Sequence, residues 1–452
     1  MSLTVSRILH AGYIFDDGKT CIAFDPIFEN PFSYNCYAHP SVKFDLKCIP
    51  HLKIDAIFIS HYHDDHFSLQ SLQYFDRQIP IYLYAENQIF FDLLKALSFS
   101  SVHQIKTHDT IKINDFEIVA WPALETEVDT IFQIKNKNTN ILNVVDSWID
   151  WDTHRNLCQI SWDLILWPFQ VMREKEVLSP SRLKFENNTF PEVWVDQISQ
   201  LNPRFIVPSS CQFRFENWSW YNHHFFAISY LEFSNLISKH SKNTQVIKFD
   251  PGQSFIFDSK GLSEAKSIEW ITLEKSDDYE YKLNTLFEPM HTSSIARYLP
   301  ALDDSAAFVV KNYCMNIVPD LLKNKLSLYT EENYWNTQTK YWKLIIYDSL
   351  GKETEYIYQI NANQVLVNKQ NSKQTDWLTE IAEFKLYSAI VNHESLISLY
   401  IRINDVIFDQ NIEKELVGVD LMEDPLLQCL YGSDIAQYQK SQLMQIKGDI
   451  LL

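Results

Sequence analysis

The residues with the clearest capacity for chemistry are six consecutive ones, HYHDDH at positions 61–66. An apolar run typical of a buried strand precedes them, and a segment with apolar residues at helical spacing follows. His61 and His63 can reach one cation, and Asp65 and His66 can face a second. Imidazole and carboxylate ligands suit zinc, iron or manganese, and paired ions in hydrolytic centres lie roughly 3.5–4 Å apart. The alternative is a polar loop whose aspartates cap the next helix.

The pattern His-x-His-x-Asp-His after a strand resembles that of the metallo-β-lactamase superfamily. Two upstream segments, ILHAGYI at 8–14 and CIAFDP at 21–26, resemble the opening strands of the branch that holds ascorbate-phosphate lactonase and the N-acyl-phosphatidylethanolamine phospholipase D. The segment NVVDS at 143–147 resembles the strand that delivers a metal-bridging aspartate. The resemblance covers residues 1–270. It implies an α/β fold, the αββα sandwich, with two divalent metal ions, zinc being the usual one in the family.

The resemblance also implies a ligand set. Asp146 takes the place of the bridging aspartate, and Glu125 stands where relatives carry a histidine, after Pro122-Ala123-Leu124. A glutamate ligand would make the first site harder and more anionic, shifting its preference from zinc towards iron or manganese. Alternatively, Glu125 points at solvent and one metal is held. The predicted metal ligands are therefore His61, His63, Asp65, His66, Glu125 and Asp146.

Relatives carry a last histidine close to the position of Ser210, where this chain has none. His223 and His224 are candidates to replace it, and a helix with one packed and one solvated histidine is the alternative. His10 and Asp25 fall near predicted strand tips. Each is predicted either to hydrogen-bond a metal ligand or to have a structural role.

Length, charge and cysteine content limit the classes of partner and the compartment that we expect. A length of 452 residues predicts two domains, and the net charge of −19 argues against nucleic acid and anionic membrane surfaces. Seven Cys without a Cys-x-x-Cys pair predict reduced thiols in a cytoplasmic protein. No signal peptide is recognisable, and no apolar run approaches the ~20 residues of a membrane span. We expect a small-molecule substrate, and a homo-oligomer is left open.

Near residue 270 the pattern changes. We predict a metal-binding domain over 1–270, a linker with helices over 271–325 and an α+β domain over 326–452. Within the last, strands are predicted at 341–347, 354–359, 364–367 and 398–403, with a helix at 377–389. This order resembles sterol-carrier-like domains in pattern rather than in motif. Such a layer would bind an apolar ligand, form a dimer face or act as a scaffold.

Three functions follow from these predictions. The first is a dinuclear hydrolase in which metal ions lower the pKa of a shared water towards ~7, so that hydroxide attacks an ester, lactone, amide or phosphodiester. Asp65 would double as proton acceptor. The second is an iron-dependent oxygenase, because the stretch from Pro208 through Asn222 resembles CMP-N-acetylneuraminate hydroxylase. The third is a metal-binding scaffold without turnover.

Overall fold

The computed structural model describes residues 2–169, 177–180, 190–211, 213–224, 228–258, 261–274, 288–326, 334–335, 337–368, 375–394, 396–405, 421–431 and 435–450. The side chains of residues 223, 224, 368, 397, 422, 449 and 450 lie outside this description. All statements below concern this part of the chain.

The first of two large sheets, sheet I, has eight strands. Its order in space places the strand Ser254–Asp258 beside the N-terminal strand Leu3–Arg7, and Gly261–Glu264 pairs with the other side of Ser254–Asp258. A hairpin turn joins Tyr13–Asp16 to Cys21–Phe24. Four pairings are antiparallel and the next three are parallel. The strands are Gly261–Glu264, Ser254–Asp258, Leu3–Arg7, Tyr13–Asp16, Cys21–Phe24, Ala56–Ile59, Ile81–Tyr84 and Val102–Ile105.

Sheet II has seven strands and the same division into a parallel and an antiparallel half. A hairpin turn joins two of its central strands, Thr130–Asn136 and Thr139–Asn143. Two short two-stranded ribbons, Tyr37–Ala38 with Phe213–Arg214 and Val42–Phe44 with Ile271–Leu273, lie outside it. The strands of sheet II are, in spatial order, Gln245–Val246, Phe205–Pro208, Leu164–Trp167, Thr139–Asn143, Thr130–Asn136, Phe116–Pro122 and Thr110–Ile113.

Sheets I and II face each other across an apolar layer to which both contribute. Phe24 and Phe58 stack within sheet I at 4.8 Å between ring centroids, and Phe132 of sheet II meets Phe24 edge-on at 5.2 Å. Burial of each such ring contributes about 1.5–3 kcal/mol. This shared core explains why the short apolar strands of both sheets were recognisable in the sequence.

Helices cover the outer faces of both sheets. Gln88–Ala96 turns Phe90 and Leu94 towards the strand residues Ile57 and Leu83, and Glu192–Leu201 does the same with Trp194 and Ile198 towards Trp167. The layer order is thus helix, sheet, sheet, helix, consistent with a metallo-β-lactamase fold. The helices of this part are Leu69–Leu72, Gln88–Ala96, Trp151–Leu157, Glu192–Leu201, Tyr221–His224 and Tyr230–His240, with a 3₁₀ turn at Ile49–His51.

A third sheet, sheet III, has five strands and an apolar cluster of its own. The helices Asp304–Asn312 and Val318–Leu326, joined by the π-helical turn Tyr313–Ile317, pack into that cluster through Val310, Cys314 and Leu322. The predicted domain boundaries at 270 and 325 stay predictions. The strands of sheet III are Gln364–Asn368, Glu353–Asn361, Lys340–Tyr347, Trp377–Ala382 and Arg402–Ile403.

The helix predicted over 377–389 is wrong in its first half. Trp377–Ala382 is a strand that runs parallel to Lys340–Tyr347 in the middle of sheet III, and the helix Glu383–Val391 begins only after it. All six strand residues are buried, so the alternation that marks a half-exposed strand is missing.

The strand predicted at 398–403 is also mostly wrong. A 3₁₀ turn occupies Leu396–Leu399, and Tyr400, with φ of +49°, stops the extended backbone until Arg402–Ile403. The remaining helices are Thr292–Ala296, Pro425–Tyr431 and Gln437–Ile450, with a 3₁₀ turn at Leu421–Glu423. None of the described helices combines the length and the apolar character needed to cross a bilayer.

Candidate metal centre

The candidate metal centre lies at one edge of the sandwich, where several strands of sheets I and II end. The loop 61–66 follows the strand Ala56–Ile59, and Asp146 follows the strand Thr139–Asn143. Their ligand-type atoms fall into two groups, each with all members within 4.8 Å of one another. Group one is His61, His63 and Asp129, and group two is His10, Asp65, His66 and Asp146.

Group two is compact and almost fully buried. The Nε2 atom of His66 lies 3.1 Å from Asp146 Oδ2 and 3.6 Å from Asp65 Oδ2. The Nε2 atom of His10 lies 3.1 Å from Asp65 Oδ2 and 3.2 Å from His66 Nε2. Two imidazole nitrogens and two carboxylate oxygens therefore converge on one small volume.

Group one is more open to solvent and touches group two. His61 Nε2 lies 2.9 Å from His63 Nδ1 and 3.8 Å from Asp129 Oδ1. The same nitrogen lies 4.0 Å from Asp146 Oδ1, the second oxygen of the carboxylate that approaches His66. Asp146 thus presents one oxygen to each group.

Two buried carboxylate oxygens in the centre lack hydrogen-bond donors. Within the described residues neither Asp129 Oδ1 nor Asp146 Oδ1 has a partner. Burying an anionic oxygen without a compensating partner is costly, whereas a bound cation would satisfy both atoms. The donor set, imidazole nitrogen and carboxylate oxygen, is also one that divalent transition metals accept. The residues present therefore fit a metal centre.

Hydrogen bonds behind the imidazoles fix which nitrogen carries the proton. Ser60 Oγ donates its one hydrogen to Asp25 Oδ2 at 2.7 Å, so it accepts from His61 Nδ1–H at 3.0 Å. His66 Nδ1–H donates to the same Asp25 oxygen at 3.0 Å. Both histidines can therefore direct an Nε2 lone pair into the centre, the arrangement that a carboxylate behind a metal-bound histidine produces.

His10 is held in the opposite tautomer. The backbone N–H of Cys211 donates to His10 Nδ1 at 3.1 Å, which leaves the hydrogen of the neutral ring on Nε2. That Nε2–H faces Asp65 Oδ2 at 3.1 Å. His10 therefore hydrogen-bonds a predicted ligand and orients it, the first of the two roles that the sequence left open. Asp25, which holds His66, has the same kind of role.

The charges of the centre follow from burial and mutual attraction. Burial lowers the pKa of His61 to about 4, and the nearby His66 adds to this. Desolvation within the crowded loop and the neighbouring His61 also lower the pKa of His63, although one side of that residue faces solvent. Both rings are therefore neutral at neutral pH, and each keeps one nitrogen lone pair that can bind a cation.

His66 has the opposite behaviour. Burial disfavours its positive charge, but Asp146 and Asp65 outweigh burial and raise its pKa well above the usual value. In return, although burial opposes it, His66 keeps the pKa values of Asp65 and Asp146 low. Burial and the charge of Asp146 raise the pKa of Asp129 to about 6. Without metal the proton on His66 partly neutralises the carboxylates, and a cation would displace it.

Backbone strain lies directly beside Asp146. Val145 has φ of +63°, a left-handed conformation that a β-branched residue rarely adopts. Ser210 Oγ donates to Val145 O at 2.6 Å, and Asn143 Oδ1 accepts from Val145 N–H at 3.2 Å. Ser210, where relatives carry a histidine, thus supports the backbone that delivers Asp146. Strain held by such specific contacts is common at functional sites.

Glu125 lies outside both groups. It is exposed, and its backbone carbonyl accepts from Val128 N–H at 3.0 Å and Asp129 N–H at 2.8 Å. The turn formed in this way aims Asp129, four residues later, at His61. The sequence analysis missed Asp129, since the run ETEVD at 125–129 offers three carboxylates and only the turn decides which faces inward. The other five predicted ligands lie in the two groups. The side chains of His223 and His224 fall outside the described residues.

An open cavity of about 410 Å³ adjoins group one. Tyr62 lies between His61 and His63 in the chain, and Val128 precedes Asp129, so this cavity borders the loop and the turn that carry group one. Its lining is acidic and partly apolar: Tyr62, Glu86, Asn87, Glu127, Val128 and Ile435. Another cavity, of about 420 Å³ between the helices Glu192–Leu201 and Tyr230–His240, shares no lining residue with either group.

Comparison with known proteins finds similarity in structure alone. No protein-family model and no curated sequence matches the chain. Igni18, a metallo hydrolase from Ignicoccus hospitalis, is 15% identical, with 57% of this chain and 99% of that chain covered at a TM-score of 0.39. The metallo-β-lactamase-fold protein YhfI from Bacillus subtilis is 12% identical, with 56% and 99% covered at a TM-score of 0.38. CmlA, a diiron β-hydroxylase from Streptomyces venezuelae, is 13% identical, with 56% and 53% covered at a TM-score of 0.38. Similarity at this level identifies no activity for this chain.

Proposed function

We propose that this chain is a metal-dependent hydrolase that holds two divalent metal ions. His61, His63 and Asp129 would hold one ion, and Asp65 and His66 the other. Asp146 would serve both. The observation that carries the proposal is the carboxylate of Asp146, which offers one oxygen to each group while Oδ1 has no hydrogen-bond donor among the described residues.

Bound ions would supply Lewis acidity, which brings the pKa of a coordinated water towards ~7. The chain's own residues supply the rest. Asp25 and Ser60 orient His66 and His61, and His10 holds Asp65 through its Nε2–H. That hydrogen bond and the low pKa of Asp65 make it a weak base.

The open cavity beside group one is the entrance that we propose for the substrate, and it favours uncharged molecules. Glu86 and Glu127 line it, and the whole chain carries a net charge of −19. A phosphodiester would meet this field with its own negative charge, whereas a neutral ester, lactone or amide would not. Tyr62, Val128 and Ile435 offer apolar surface to such a substrate.

Metal analysis is the first test. Protein purified without added metal is expected to contain, or take up, two equivalents of divalent metal, and His63→Ala is expected to lose the ion of group one. Hydrolysis of uncharged esters, lactones and amides would then be compared with that of phosphodiesters. Wild-type protein that takes up no metal would overturn the proposal.

An iron-dependent oxidoreductase is the second candidate. Three carboxylates, Asp65, Asp129 and Asp146, accompany the histidines of the two groups, a set rich enough in oxygen to favour iron over zinc. Iron with an oxygen-sensitive optical spectrum would favour this function, whereas zinc with hydrolytic turnover would favour the first. Metal binding without turnover on any substrate of the panel would leave the scaffold role.

A further inference from the structure

A helix remote in sequence contacts the loop that carries the histidines. Gln439, on the helix Gln437–Ile450, donates from Nε2 to Tyr62 O at 3.0 Å and to Phe67 O at 3.4 Å. These carbonyls flank the segment 63–66, so one amide spans four residues that include three of the predicted ligands. The sequence separations are 377 and 372 residues.

Gln442, one turn further along the same helix, continues the contact. Its Oε1 accepts from Leu69 N–H at 2.8 Å, and its Nε2 donates to Ser68 Oγ at 3.0 Å. Ser68 caps the helix Leu69–Leu72 by accepting from Ser71 N–H. The amide of Gln442 therefore satisfies a first-turn N–H group that the short helix leaves without an internal partner.

Burial makes these contacts expensive to lose. Gln439 and Gln442 are each 2% exposed. Ala436, directly before this helix, and Ile446, on it, belong to the apolar cluster that contains Leu69 and Phe90, so the helix is anchored on the sandwich itself. Removal of either glutamine amide would leave buried backbone groups of the loop without partners.

We propose that Gln439 and Gln442 are positioning residues of the metal centre, through which the helix Gln437–Ile450 sets the conformation of the loop 61–69. The expected effect on metal affinity rests on the proposed function, whereas the effect on the conformation of the loop does not. The inference assigns a role in metal binding to a helix far downstream of the histidine loop, 372 residues from Phe67 to Gln439, and no motif in the sequence indicates that role.

The test replaces each glutamine with methionine, which keeps length and volume but removes the hydrogen bonds. The variants are Gln439→Met and Gln442→Met, and Gln445→Met is the matched control. Gln445 lies on the same helix, and its Oε1 accepts from Gln70 Nε2 of the helix Leu69–Leu72 at 2.9 Å. Unlike Gln439 and Gln442, Gln445 is exposed. All variants are compared at a temperature at which circular dichroism shows them folded.

Two readouts are needed. Hydrogen exchange of the metal-free protein is expected to be faster over residues 61–69 in Gln439→Met and Gln442→Met than in the control. Cobalt(II) titration is expected to give about tenfold weaker affinity and an altered visible absorption spectrum, as for other changes to groups that orient metal ligands. A merely destabilised but correctly arranged centre would keep the wild-type spectrum.

Equal exchange and equal cobalt affinity in all three variants would overturn the inference. Wild-type protein that binds no cobalt would instead overturn the proposed function, and the exchange measurement would still decide whether the helix holds the loop. The two failures are therefore distinguishable.

Discussion

Single hydrogen-bond partners decide what each histidine of the centre can do. Ser60 and Asp25 leave the Nε2 lone pairs of His61 and His66 facing inward, whereas the backbone N–H of Cys211 places the hydrogen of His10 on Nε2. Residue type and spacing cannot distinguish these cases. At the scale of one residue, function thus depends on the partner behind the ring.

The carboxylates Asp129 and Glu125 provide a matched pair on one turn. Asp129→Asn is expected to weaken the binding of one metal equivalent by at least about tenfold, because it removes a negative ligand of group one. Glu125→Gln, at an exposed position, is expected to leave affinity unchanged. Isothermal titration with zinc measures both. Loss of affinity in Glu125→Gln alone would restore the ligand set predicted from the sequence.

Glu29 gives a prediction of pH dependence away from the ligands. Burial raises its pKa, although the hydroxyls of Ser68 and Ser71 donate to it. The native state therefore binds this proton more tightly than the unfolded chain, and the free energy of unfolding falls as pH rises above the usual carboxyl range.

Glu29→Gln is expected to remove that fall, so the variant gains stability relative to wild type as pH rises. Urea unfolding across mildly acidic to mildly alkaline pH checks it. The exposed Glu264→Gln serves as control for the loss of one surface charge. Parallel pH profiles of Glu29→Gln and wild type would contradict the prediction.

At the scale of the element, the sequence indicated strands well when their buried residues were all apolar. The apolar run before the loop 61–66 is the strand Ala56–Ile59, as predicted, and Ile81–Tyr84 and Leu164–Trp167 are likewise short apolar strands of the sandwich. Trp377–Ala382 was misread as helix because the polar residues Thr379 and Glu380 interrupt its apolar residues, although both are buried in the folded protein. Its environment is set by neighbours far along the chain.

Asp424 connects the strand Trp377–Ala382 to the helix Pro425–Tyr431. Its Oδ2 accepts from Trp377 Nε1 at 2.6 Å and from Thr379 Oγ1, while Oδ1 accepts from Leu426 N–H at 2.9 Å and Leu427 N–H at 3.1 Å. Asp424→Ala would leave four buried donors without a partner.

We therefore expect Asp424→Ala to lower the free energy of unfolding by at least about 3 kcal/mol. The matched control is Asp303→Ala, which removes the exposed cap of the helix Asp304–Asn312 and is expected to cost about 1 kcal/mol. Denaturant titration of both variants measures the difference. Equal losses would show that the buried hydrogen bonds to Trp377 and Thr379 contribute nothing.

At the scale of the whole molecule, the helix Gln437–Ile450 belongs to the core of the first part of the chain. Ile446→Ala is expected to cost about 3 kcal/mol, because it opens a cavity in the cluster shared with the sandwich. Met444→Ala, on the same helix but 69% exposed, is expected to cost almost nothing. Thermal unfolding followed by tryptophan fluorescence measures both, and comparable losses would place the helix outside that core.

The sequence analysis reached the sandwich and most of the candidate centre because both depend on local patterns. The loop 61–66 and Asp146 are each marked by a strand directly before them. Asp129, the tautomer of His10 and the contacts of Gln439 depend on groups brought together only by folding. Residue types alone carry no signal for such pairings.

The contact between Gln439 and the histidine loop also sets an order of events during biosynthesis. At about 5–20 residues per second, the 377 residues between Tyr62 and Gln439 take tens of seconds to translate. Throughout that interval the nascent sandwich exposes its loop without the amide that spans it. Binding of a cation by the growing chain would therefore be disfavoured, and metal loading would follow the synthesis of the helix Gln437–Ile450.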